Sequence, residues 1–90
     1  MTQFDMLDLI LNKKLIYGCF SNIKDVTIAF EEDIETGEHH FIFNIDLDTN
    51  DTEKVFLEYN KLIELQIDFF NTNTLFLMRN SLNLIGEENE

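Results

Sequence analysis

Between Asp25 and Leu47 the chain alternates apolar and polar residues twice, with one glycine in the gap, and this pattern limits the fold more than any other feature. Val26, Ile28 and Phe30 alternate with Thr27, Ala29 and Glu31; Phe41, Phe43, Ile45 and Leu47 alternate with Ile42, Asn44 and Asp46. Period-two alternation of β-branched and aromatic residues predicts half-buried strands. The expected unit is a β-hairpin, Val26–Ile34 and His39–Leu47, closed at Thr36-Gly37, where glycine supplies the positive φ of a tight turn. A two- or four-residue loop centred there sets Phe30 opposite Phe43, Ile28 opposite Ile45 and Val26 opposite Leu47. All six side chains then share one face. A slip of one residue would bury Asn44 and Asp46 instead, so the pattern selects the face.

The same stretch has a one-sided charge. From Asp25 to Glu53 there is no Lys or Arg, while acids stand at 25, 31, 32, 33, 35, 38, 46, 48, 51 and 53. Glu31, Glu32, Asp33, Glu35 and Glu38 crowd the turn; Asp46 and Asp48 close the second strand. Charged side chains at a hairpin tip blunt strand edges and keep a protein soluble. The same side chains can also be a surface aimed at a basic partner, and Glu31, Glu32, Asp33, Glu35, Glu38, Asp46 and Asp48 are the candidate partner-binding residues. The net charge of −12 over 90 residues argues against nucleic acid or an anionic membrane as a direct ligand, since both are polyanions. It suits a basic protein partner, and in its sharpest form a nucleic-acid-mimic inhibitor of the phage anti-defence or toxin-immunity type.

Around the hairpin the sequence predicts helix at both sides. Residues 2–14 read as a helix capped by Thr2 with Asp5 three places on. Phe4, Leu7, Ile10 and Leu11 recur at helical spacing, and Lys13 and Lys14 fall in the last turn. Met6 and Leu9 widen the apolar stripe, which hints at packing on two sides and so at a homodimer. Residues 15–20 alternate as a strand or packed linker, and Ser21-Asn22 read as a turn, giving a meander of strands 15–20, 24–34 and 39–47. A short helix over 52–60, capped by Asn50 or Asp51 and ended by Asn60, competes with a strand reading of Val55, Leu57 and Tyr59. Ile63, Leu65, Ile67 and Phe69 then alternate, Asn71–Thr74 carry turn chemistry, and Leu75–Leu82 return as a second hairpin, with Asn80 as a polar misfit on its apolar face. The expected fold class is α+β: an N-terminal helix packed on a mostly antiparallel sheet of four or five strands built from two hairpins, with a short intervening helix. One domain covers 1–86, and 87–90 form an acidic frayed tail.

Motifs of catalytic or cofactor grade do not occur. Asp46-Leu47-Asp48-Thr49-Asn50 opens like a calcium loop, but Asp51 stands where glycine is expected, Leu57 where the bidentate Glu is expected, and the flanking element is a strand. His39 and His40 are neighbours in a strand and point to opposite faces, so they do not share one ion; a cross-strand His40–Asp33 pair is the expectation. Metal and cofactor are therefore expected to be none. The acids cluster where water is plentiful, there is no Ser-His-Asp, Cys-His or H-E-x-x-H arrangement, and an enzyme is not expected. Cys19, the only cysteine, lies in an apolar run and reads as a buried thiol in a reducing compartment. The first residues lack a basic region before their apolar stretch, no apolar run approaches ~20 residues, and cytoplasmic placement follows. The alternative expectation is a homo-oligomeric structural or assembly subunit using Phe4, Leu7 and Ile10.

Overall fold

The computed structural model describes residues 6–86. The elements are α1 (Met6–Cys19), β1 (Ile23–Glu32), β2 (His39–Leu47), α2 (Thr52–Phe69), α3 (Thr72–Phe76) and β3 (Met78–Asn83). The three strands form one mixed sheet in the order β1-β2-β3. β1 and β2 are antiparallel, whereas β3 runs parallel to β2. Parallel neighbours need a crossover connection, and α2 with α3 supplies it. The class is α+β, but the expected four or five mostly antiparallel strands are corrected to three, and there is one hairpin rather than two.

The difference has a physical origin in two helices longer than expected. In α1 the buried residues Asn12, Ile16 and Cys19 follow each other at the 3–4 spacing of a helix face, so residues 15–20 continue the helix and the expected first strand does not form. Lys13 and Lys14 thereby fall inside α1 rather than in its last turn. Thr2, Phe4 and Asp5 lie outside the described residues, as does the 87–90 tail. In α2, Asp51 is the N-cap and its Oδ1 accepts the Lys54 N–H at 3.2 Å. Once nucleated, a helix extends at low cost. Val55, Leu62 and Gln66 are buried, with Tyr59 half-buried between them, and this stripe runs straight through Asn60. The expected strand 63–69 is therefore helix. Asn71 caps α3, its Oδ1 accepting the Thr74 N–H at 2.8 Å, and β3 begins only at Met78.

The hairpin forms, with its register moved by two residues. Phe30 faces Phe41, Ile28 faces Phe43 and Val26 faces Ile45, because the loop is centred on Glu35-Thr36 rather than Thr36-Gly37. A shift of two keeps every side chain on its expected face. Asp25 pairs with Asp46 and Ile23 with Leu47, so a bulge lies at Lys24. The core is a single cluster in which Val26, Phe43, Ile45 and Leu47 from the sheet meet Ile16 and Phe20 from the first helix and its end, and Val55 and Leu62 from α2.

α2 is fastened near both of its ends to α1 and to the segment that follows it. At one end the Ser21 hydroxyl donates to Glu58 Oε2 at 2.8 Å and Lys54 Nζ donates to Asn22 Oδ1 at 2.8 Å. At the other, a buried amide cluster joins three elements. Gln66 Nε2 donates to Asn12 Oδ1 at 2.8 Å and to Asn80 Oδ1 at 3.2 Å, and Asn80 Nδ2 donates back to Gln66 Oε1 at 3.1 Å. Asn80, the misfit of the sequence, is thus satisfied through Gln66. Asn12 Nδ2 is buried with no hydrogen-bond partner among the described residues.

Candidate functional site

The acidic turn is built by its own side chains. The Asp33 N–H donates to the Glu38 carbonyl at 2.7 Å, and the Gly37 N–H donates to the Asp33 carbonyl at 2.7 Å. This leaves a four-residue loop, 34–37, with Gly37 at φ +77° in the left-handed region. Asp33 Oδ1 accepts the Glu35 N–H at 2.9 Å and the Thr36 N–H at 3.4 Å. Such aspartate-to-backbone bonds stabilise a turn locally. Asp33 is therefore engaged within the loop, whereas the carboxylates of Glu31, Glu32 and Glu35 have no ion-pair partner among the described residues. Ile34, expected as the last residue of the first strand, stands instead at the loop and is 94% exposed.

The acids and Ile34 rim an open recess of about 450 Å³ together with His40 and Arg79. Arg79 reaches across from β3, its Nη2 lying 3.1 Å from His40 Nε2. A guanidinium only donates, so Nε2 is the acceptor in this contact. The expected His40–Asp33 pair is corrected: Glu31 is opposite His40 and Glu32 opposite His39, while His40 is buried and its nearest carboxylate is Glu38 Oε1 at 3.9 Å. The face of the recess thus has acid on β1 and the loop, and one cation, Arg79, on β3.

On the opposite face of the same hairpin end the surface is aromatic. Phe30 stacks on His39 with ring centroids 5.3 Å apart and contacts Phe41 at 5.2 Å. Phe30 and Ile28 point to the same side of the sheet as buried Val26, yet both are exposed and neither belongs to the core cluster. Alternation identified the face of Phe30 but carried no signal for its exposure.

Asp46 and Asp48 are not part of this constellation. Asp46 sits at the far end of β2, where its Oδ1 accepts Asn83 Nδ2 at 3.0 Å, and the Asp48 N–H donates to the Asn22 carbonyl at 2.7 Å. At ~3.3 Å per residue these acids lie roughly 25 Å from the turn. Five of the seven candidate residues are therefore brought together and two are not.

Elsewhere, Cys19 is buried. Burial pushes its thiol above the ordinary cysteine value; Lys61 partly offsets this and Glu58 adds to it. A groove of about 420 Å³ runs between α2 and β3, with Tyr59, Gln66, Met78 and Asn80 among its walls. Among the described residues no three His, Cys, Asp or Glu side chains converge to hold a metal ion, and no helix is long and apolar enough to cross a membrane. In comparisons with known proteins, the chain matches no family model, and neither a curated protein nor a solved structure matches it significantly.

Proposed function

We propose that this chain is a small, non-catalytic, cytoplasmic protein-binding module that presents its acidic hairpin tip to a basic protein. The supporting observation is the grouping at one end of the sheet of Glu31, Glu32 and Glu35, free of ion pairs among the described residues, with fully exposed Ile34. Carboxylates around an exposed apolar anchor suit a recognition surface: the charge speeds and orients encounter, and the apolar group holds the complex. In its narrower form the tip stands in for the phosphates of a nucleic acid on a nucleic-acid-handling protein, as an inhibitor or immunity protein would. The recognition role falls to the tip rather than to Asp46 and Asp48. Asp33 contributes by shaping the loop.

The test is charge reversal without disturbing the loop. A Glu31→Lys, Glu32→Lys, Glu35→Lys variant is expected to keep its circular dichroism spectrum and to lose at least tenfold in affinity for basic proteins recovered from lysate at low salt. Binding that is unchanged in this variant, or insensitive to salt, overturns the reading.

A second reading, a homo-oligomeric assembly subunit, draws on one feature: Ile10 and Tyr17, two turns apart on α1, are both about half exposed. Analytical ultracentrifugation decides it, because a mass equal to one chain at every concentration removes this reading.

A further inference from the structure

The free edge of β1 is open over a defined stretch. In an antiparallel pair, hydrogen-bonded and non-hydrogen-bonded positions alternate. The Asp33–Glu38 bond at 2.7 Å makes that a bonded pair, so the backbone groups of Val26, Ile28, Phe30 and Glu32 point away from β2. Two further bonds agree with this phase: the Phe41 N–H, opposite Phe30, donates to the Leu77 carbonyl on the β3 side at 2.7 Å, and the Val26 N–H is taken by Asp25 Oδ1 at 2.9 Å. The edge is thus closed at one end by the Lys24 bulge and the Asp25 carboxylate. From Ile28 to Glu32 it has neither bulge nor Pro nor Lys, and among the described residues no further strand lies beside it. Natural proteins block edges with such devices or with charged side chains; here the charges are the acids Glu31 and Glu32, which repel an acidic strand and favour a basic one.

We propose that β1 binds its partner by strand addition, an extended segment of a basic protein pairing with the edge from Ile28 to Glu32. The inference rests on the protein-binding reading above and gives it a mode. The segment's chemistry follows from the two sides of the edge. On the side of Ile28 and Phe30 the added strand meets apolar surface, and on the side of Glu31 it meets acid, so alternating apolar and Lys or Arg residues fit. A second copy of the chain fits less well. With Ile28 opposite Ile28, Lys24 would meet Glu32 but Asp25 would meet Glu31, so the local charges offset each other while each copy brings a net −12. Main-chain bonds would supply affinity and the alternate side chains specificity.

The experiment uses the full chain and two synthetic octapeptides of alternating valine and lysine, one of them N-methylated at every second amide so that charge is kept and pairing is blocked. Amide hydrogen exchange by NMR is expected to show at least tenfold added protection at Ile28, Phe30 and Glu32 with the unmodified peptide, and at least tenfold weaker binding of the methylated one. Ile28→Pro, which removes an outward N–H and no internal ladder bond, is expected to weaken the unmodified peptide by the same factor with its fold intact. Equal binding of both peptides without added protection overturns strand addition and leaves the acidic-tip reading standing. Binding of neither peptide also overturns strand addition, and the charge-reversal experiment then judges the acidic tip by itself. Protection at these amides that grows with protein concentration alone overturns it in favour of a second copy.

Discussion

Val26 and Phe30 lie on one face of one strand, yet Val26 is 2% exposed and Phe30 58%. The residues opposite them follow suit: Ile45 is fully buried and Phe41 only partly. Val26 belongs to the cluster that includes Ile16, Val55 and Leu62 of the helices; Phe30 lies outside that cluster, and its ring contacts among the described residues are to His39 and Phe41 beside it on β2. Alternation therefore encodes which way a side chain points and says nothing of whether anything lies there. Coverage depends on which residues of α1 and α2 pack against that face, and period-two alternation within one strand does not encode it. The covered end is a core, and the uncovered end combines apolar surface, acid and an open edge, which is the composition of a contact rather than of an interior.

Substitutions at the two ends of the sheet should differ sharply in what they cost. The largest effect is expected at Phe43, fully buried, where Phe43→Ala costs about 3–5 kcal/mol through lost burial and a cavity; urea denaturation of this variant should show most of the chain's stability gone. Next is Gly37→Ala. A Cβ there would touch nothing within 4 Å, but φ is +77°, so the cost is backbone strain alone, about 1–2 kcal/mol, read as a lower denaturation midpoint with an unchanged slope. The smallest stability effect is expected at Phe30, where Phe30→Ala removes two exposed ring contacts, to His39 and Phe41, worth together about 1 kcal/mol. A loss at Phe30 equal to that at Phe43 would mean the hairpin end is covered after all. Thiol chemistry sharpens the same contrast without touching stability. Cys19 should stay protonated through neutral pH and react with iodoacetamide at least tenfold more slowly than an Ile34→Cys thiol at the tip, with its rate rising as the medium becomes alkaline.

The hairpin was legible because its signal is local: two alternating runs and a glycine. Its register was not, because the choice between loops centred one residue apart is made by the Asp33 carboxylate and the left-handed Gly37, and a two-residue shift leaves the face pattern unchanged. The helical nature of 63–69 was hidden by a coincidence. Ile63, Leu65, Ile67 and Phe69 alternate, but the residues that bury are Leu62 and Gln66, and a glutamine enters a core only because Asn12 and Asn80 wait for it there. Those partners lie 54 and 14 residues away, beyond the reach of any local pattern. The acids at the turn were readable as a group; their separation from Asp46 and Asp48, and the exposure of Ile34 and Phe30, follow only from the three-dimensional arrangement.

The crossover that makes β3 parallel to β2 also imposes an order of events on the chain. The β1–β2 turn closes between Asp33 and Glu38, whereas β2 meets β3 through Phe41 and Met78, 37 residues apart. Closing the longer loop costs roughly 2 kcal/mol more in chain entropy, so the hairpin forms early and β3 docks late. During synthesis β2 therefore waits with its second edge unpaired until α2 and α3 have been made. The nascent hairpin then has two open edges rather than one, and unpaired strand edges are what aggregation and chaperones act on.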